Sequence, residues 1–306
     1  MIQFIRILII GLVIGVSPFA FSQQDALFTQ YMFNEVTINP AYAGSHDVVS
    51  MTGLVREQWT GIEGAPSTQS FNVHTPLRNQ RIGIGLSVIN DRIGVSDNVN
   101  IYAAGSYRLP LSKTSNLQFG LQAGLTNSRM DLGSLTVQDA TEEVFSNGSI
   151  SELSPNFGAG LYYFTEKFYL GFSVPRLINN NLSEGGMTFS TQARHYFLTS
   201  GYVFTLNPKL KFKPTIFYKY VEGAPMEIDF TASFVFNDKF WIGAAWRSFD
   251  SADLLAGFQA TEQLFFGYAY DYTLTRLNDF NSGSHELVVN YRFSFSPSKV
   301  ITPRYF

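Results

Sequence analysis

The chain has 306 residues, no cysteine and a formal net charge of −3. The lack of cysteine excludes disulfides, thiolate metal sites and a lipidated N-terminal cysteine, and the absence of a basic excess argues against a nucleic-acid partner. Charged residues make up 15% and aromatics 16%, yet mean hydropathy is only +0.02. The polar share is carried by Ser, Thr, Asn, Gln and Gly, a balance that suits a wall with lipid on one side and water on the other.

In chain order, Arg6, the apolar run 7–16, Pro18 and Ala20-Phe21-Ser22 have the form of a signal peptide (1–22) cleaved after Ser22. An uncleaved anchor is the competing reading, but the run is short for a span of about 20 residues. No later stretch is apolar enough for a membrane helix, so an exported chain is either soluble or a closed barrel. Residues 23–47 follow as a separate segment. Its aromatics and Asn39-Pro40 step are unlike a disordered arm, and predict an ordered periplasmic arm or a plug.

From residue 48 the pattern has period two. Leu210, Phe212, Ile216, Tyr218 and Tyr220 alternate with Lys211, Lys213, Thr215, Phe217 and Lys219. Successive strand side chains point to opposite faces, so one face is greasy and the other cationic. The same alternation runs through 117–126, 226–236, 264–273 and 286–295, each about the ten residues that a tilted membrane strand needs.

The predicted strands are 48–59, 68–74, 81–90, 98–108, 117–126, 154–164, 167–174, 195–204, 210–220, 226–236, 240–246, 253–260, 264–272 and 286–295. They imply an all-β, transmembrane, antiparallel up-and-down β-barrel of about 14 strands over 48–296, with a periplasmic tail at 297–306. The three longest connections, 127–153, 175–194 and 273–285, all fall on one side. That side is the outer face, because bacterial barrels keep their periplasmic turns short.

Inward positions hold Arg108, Lys211, Lys213, Lys219 and Arg292 opposite Glu227, Asp229, Asp271 and Glu286, with partners left open. Trp59, Trp241 and Trp246, near strand ends, read as interfacial girdle residues. Gly83 and Gly85 would let the wall curve or admit a neighbouring group. His46, His74, His195 and His285 are scattered with no metal-ligand spacing, and no nucleotide loop or nucleophile elbow is present. Two acidic groups, Asp139/Glu142/Glu143 and Glu227/Asp229, could serve acid–base work or calcium, but a solvated loop and a polar lumen explain them more simply. We expect no enzyme activity, cofactor or metal.

Several motifs resemble the PorP/SprF family. They are Asp25 to Asn34, Ile38-Asn39-Pro40-Ala41-Tyr42-Ala43-Gly44, Arg56-Glu57-Gln58-Trp59 with Gly61, Ala65-Pro66, Thr68-Gln69-Ser70, Gly83 to Leu86, Asn90-Asp91, Gly94, and His285-Glu286-Leu287 into Tyr291-Arg292-Phe293. The resemblance implies a Bacteroidota outer-membrane barrel of the type IX secretion and gliding machinery, set in outer-membrane lipid. Its implied partners are the periplasmic ring and motor-linked proteins, or a secreted adhesin with a C-terminal sorting domain. Candidate contacts are Tyr31, Phe33, Asn39, Pro40 and Tyr42 on the inner side, and Arg56, Trp59, Gly61 and Pro66 near the first outer loop. Bracing the barrel is the alternative role for these residues. The competing function is a passive porin or a FadL-like ligand or fatty-acid channel.

Overall fold

A computed structural model describes residues 27–134, 148–184 and 187–293. The expected signal peptide (1–22), the loop acids Asp139, Glu142 and Glu143, and the tail 297–306 lie outside the described residues.

The strands are β1 (Val49–Glu57), β2 (Ser67–Pro76), β3 (Ile82–Ile93), β4 (Ser96–Pro110), β5 (Ser115–Met130), β6 (Ile150–Thr165), β7 (Phe168–Val174), β8 (Asn180–Glu184) and β9 (Met187–Gln192). They continue with β10 (His195–Tyr202), β11 (Phe204–Asn207), β12 (Leu210–Val221), β13 (Glu227–Phe236), β14 (Phe240–Arg247), β15 (Ser251–Gln259), β16 (Leu264–Thr273) and β17 (Ser284–Phe293). β10 and β11 are one wall strand interrupted at Val203, and both pair with β12. β8 and β9 form a separate hairpin. The remaining segments make a closed 14-stranded antiparallel barrel in which sequence neighbours pair and β1 closes against β17 from Val49↔Phe293 to Glu57↔His285. Closure leaves no unpaired edge for lipid to meet. No helix among the described residues is long and apolar enough to cross a membrane.

The two faces follow the predicted register. Phe230 is 52% exposed while its neighbour Asp229 is 4% exposed; Tyr268 and Asp271 stand at 42% and 2%. All six connections on the inner side have two to five residues. The long connections 131–149, 175–194 and 274–283 share the other side, which the periplasmic-turn rule makes the outer one.

Three expectations are corrected. β4, β5 and β6 have 15, 16 and 16 residues, not about ten. Their outer ends are polar, so the greasy alternation fades there, but backbone pairing continues beyond the bilayer because it needs no lipid. The loop 175–194 contains the β8–β9 hairpin. Trp241 is not a girdle residue: it faces inward, with its ring 5.5 Å from that of Phe33 and the Lys213 ammonium 5.3 Å above it.

Asp229 also constrains what the lumen tolerates. It accepts a 3.0 Å hydrogen bond from Arg247 Nε, so a cation in its place would set two buried like charges together. We predict that Phe230→Arg costs about 2–4 kcal/mol near the midplane, and that Asp229→Arg costs at least as much, both measured by refolding into lipid vesicles. Low cost at Phe230 would mean that the register is shifted by one residue. Cysteines placed in 222–226 should react with an impermeant reagent on whole cells, and cysteines in 237–239 should not.

Candidate functional site

The lumen is not empty. Residues 27–48 run inside it, from the outer half down to the periplasmic end. The segment is folded as short turns: Tyr31–Phe33, Glu35–Ile38 and Pro40–Tyr42. The last follows from local sequence, because Asn39 accepts a hydrogen bond from Ala41 N at 2.9 Å and Pro40 supplies the first helical φ. Such short turns leave most backbone polar groups without internal partners, and the wall supplies many of them.

The uppermost anchor is ionic. Glu286, on β17, accepts the backbone N–H groups of Thr29 and Gln30 at 2.8 and 2.7 Å. Thr29 Oγ1 donates to Asp271 at 2.7 Å. Arg56 joins the set: it lies 2.7 Å from Asp271 and 3.2 Å from Glu286, and it donates to Thr29 Oγ1 at 2.8 Å. All three charged side chains are at most 3% exposed. Hydrogen bonds to charged groups are each worth about 1.5–3 kcal/mol, and removing one member leaves the others charged and buried.

Lower down, Asn34 donates to Ser70 at 3.2 Å and accepts from Asn72, and Asn39 Nδ2 donates to the Leu161 carbonyl at 3.0 Å. At the periplasmic end, Ser106 and Gln118 both donate to the Ala43 carbonyl at 2.6 Å. Arg108 donates to the carbonyls of Gly44 and Ser45 at 2.7 and 2.9 Å and meets Asp47 at 2.9 Å. Aromatic pairs fill the gaps. Tyr31 lies 4.8 Å from Phe217, Phe33 stacks at 4.5 Å on Phe265, and Tyr42 meets Tyr162 edge-on at 5.2 Å.

Wall glycines make room for this segment. A Cβ at Gly120 would stand 2.1 Å from Ala41 N, at Gly83 2.1 Å from Ala43 O, and at Gly160 2.0 Å from Asn39 Oδ1. Gly83 therefore admits a neighbouring group, the second of the two roles expected for it.

These contacts join residues from Thr29 to Glu286, and the likeness to known proteins covers nearly the same span. A family model described as "Type IX secretion system membrane protein PorP/SprF" matches residues 20–291. The chain belongs to the PorP/SprF family. No curated protein matches it significantly. Among solved structures, the Ralstonia pickettii toluene transporter TbuX has a TM-score of 0.52 at 9% identity, covering 85% of this chain and 93% of its own. A mutant of the monoaromatic hydrocarbon channel TodX has a TM-score of 0.51 at 10% identity, covering 86% and 94%. At such identities the likeness concerns the fold alone. Family and fold together establish an outer-membrane barrel of the type IX secretion system.

In this PorP/SprF barrel the candidate contact residues divide. Tyr31, Asn39, Pro40 and Tyr42 are buried inside the lumen, and Phe33 is half-buried against Phe265 and Trp241. Arg56 lies beside the first outer loop, but its side chain turns into the ionic anchor and is 1% exposed. Pro66 is buried as well. Tyr31, Phe33, Asn39, Tyr42 and Arg56 hold the barrel and its plug together, so they are not exposed as inner-rim or outer-rim contacts. Their aromatic and polar character is spent on the wall. Only Trp59, half-buried, and Gly61, exposed, present surface at the outer end. Sequence reasoning left the lumen partners open. They are Lys219 with Glu227 at 2.9 Å, Arg247 with Asp229, and Lys211 with Asp238 at 2.6 Å. Among the described residues no group of histidines and acids could hold a metal.

We predict that Arg56→Leu costs about 3–5 kcal/mol, because it strands Asp271 and Glu286, read as a fall in the denaturant midpoint of the refolded barrel. Gly120→Val should instead unseat the plug: limited proteolysis would then cut within 27–48 while the strands remain protected. Wild-type resistance at that segment in the Gly120→Val protein would show that the glycine recess is not needed.

Proposed function

We propose that this barrel serves type IX secretion as a closed docking element. In this reading its outer loops hold a secreted, adhesin-like substrate carrying a C-terminal sorting domain, and its inner rim engages periplasmic ring or motor-linked components. The observation that carries the reading is the bonded plug. A lumen occupied along its length by the chain's own N-terminal segment is a poor conduit for solutes, which leaves recognition at the two rims. Such recognition requires no bond-making chemistry.

The outer end has the surface for it. Phe249 is 81% exposed and Phe280 73% exposed. Their loops are bound into a platform: Thr60 N donates to Gly283 O at 2.9 Å, Ser282 N to Thr60 O at 2.8 Å, and Leu274 N to Asp250 O at 2.8 Å. Phe249 holds its backbone at φ 64, a left-handed conformation that is costly for a bulky residue. Loops held by a rigid wall, with large apolar side chains facing water, are the usual form of a protein contact site.

The deciding experiment is deletion of the gene followed by cell fractionation. We expect one large surface adhesin to be lost or released while uptake of small solutes is unchanged, and Phe249→Asp with Phe280→Asp to reproduce the loss with the barrel still in the membrane. In planar bilayers the purified barrel should conduct no more than leak. Normal adhesin display together with reduced solute uptake would give the function to the porin or FadL-like channel instead.

A further inference from the structure

Between the plug and the β3–β5 wall lies a cavity of about 1020 Å³, counting the solvent at its mouth, at the outer end of the lumen. We propose that this cavity is a binding site for the terminal ring of a neutral saccharide. The proposal goes beyond docking at the outer loops and stands whether or not that docking is correct.

The cavity has two unlike walls. One is made by three adjacent cross-strand pairs of β3 and β4: Ser87↔Tyr102, Ile89↔Asn100 and Asp91↔Asn98. At about 3.4 Å per residue, residues 87 to 91 form a polar wall roughly 14 Å long. The facing wall is apolar and comes from Leu27 and Phe28 of the plug with Phe197 of β10. Pro175 and Gln192, from the connection that holds the β8–β9 hairpin, cover it. Thr37 and Ile38 of the plug close the floor. Pockets for small ligands combine apolar surface with a few fixed polar groups in this way.

The polar wall is prepared for a ligand. Among the described residues, the side chains of Ser87 and Asn98 have no hydrogen-bond partner in the chain, although both line the cavity. Their neighbours are held in place from the adjacent strand β5. Thr126 Oγ1 donates to Asn100 Oδ1 at 2.7 Å and lies 3.2 Å from Tyr102 OH, and Gln122 donates to the Pro175 carbonyl at 2.8 Å. Such support fixes the orientation of the groups that would touch a ligand.

The chemistry of the wall selects the ligand class. Amides and hydroxyls both donate and accept, so the ligand must do both at close spacing, as neighbouring sugar hydroxyls do. The apolar wall would pack against the C–H face of a ring. Asp91, whose carboxylate accepts from Thr68 Oγ1 at 2.6 Å, disfavours an anion, and Arg176 at the rim is already engaged within the chain. A carboxylate-headed lipid is therefore a poor fit. An extended peptide is a poor fit for another reason: the plug makes the cavity blind, so a long chain cannot pass through.

The test uses the full barrel in lipid nanodiscs, free of sugar-headed detergent, and saturation-transfer NMR. The probes are maltotriose, cellotriose and chitotriose, with octanoate and a neutral hexapeptide for comparison. At least one trisaccharide should bind saturably, and Asn98→Leu with Ser87→Val should weaken it at least tenfold with barrel folding unchanged, since neither side chain braces the wall. The proposal is overturned if no trisaccharide binds, if the double variant binds as well as wild type, or if octanoate or the peptide binds with the double variant's sensitivity while the sugars do not. Adhesin display plays no part in the measurement, so failure here and failure of the docking role are separable.

Discussion

Glu286 accepts two successive backbone N–H groups of the plug while sharing Arg56 with Asp271, and the rest of the lumen is arranged in keeping with that anchor. A carboxylate removed from water needs a cation and donors around it, or its burial is unfavourable. The barrel supplies the cation from β1 and the second acid from β16, and the plug supplies the donors, Thr29 and Gln30. The anchor therefore joins the closing pair of strands, β1 and β17, to the segment that fills the space they enclose. The same groups complete the wall and hold its contents.

Barrel size makes a filling segment useful. Interiors of about eight strands are filled by their own side chains, while barrels of about sixteen enclose open water. Fourteen strands lie between, too wide for inward side chains alone. The short turns of 31–42 occupy that middle space with aromatic rings; the recesses at Gly83 and Gly120 let backbone approach backbone, and that at Gly160 admits the Asn39 side chain. A polar wall and a polar segment meet through paired hydrogen bonds, which explains why a lumen rich in Thr, Ser, Asn and Gln can be largely buried.

The inside–outside asymmetry follows from the same economy of contacts. Inner connections are short and close the wall. The long connections all lie on the outer side, where several loops are braced to one another and carry Phe249 and Phe280. The outer ends of β3 and β4 line the outer cavity, and β9 of the separate hairpin contributes Ser190, Thr191 and Gln192 to it.

Much of the fold was legible in the sequence because a strand's period of two is set by backbone geometry, and lipid on one face makes every second residue apolar. All fourteen wall strands, the lipid-facing side of Phe230 and Tyr268, and the sorting of long and short connections follow from that one rule. The family motifs were legible as well, but as scattered fragments. Asp25–Asn34, Arg56 and His285-Glu286 are up to some 250 residues apart in the chain, and only closure of β1 against β17 brings Thr29, Arg56 and Glu286 within hydrogen-bond distance. Local pattern carries no record of such a meeting. For the same reason Arg56 and Tyr42 looked like surface contacts, Trp241 looked like a girdle residue, and the pairing of Arg247 with Asp229 was not visible. The sequence by itself determined which face of each strand meets lipid, since that depends on neighbours two residues away. The tertiary structure alone decided what fills the lumen and which charges pair there, since those depend on where the barrel closes.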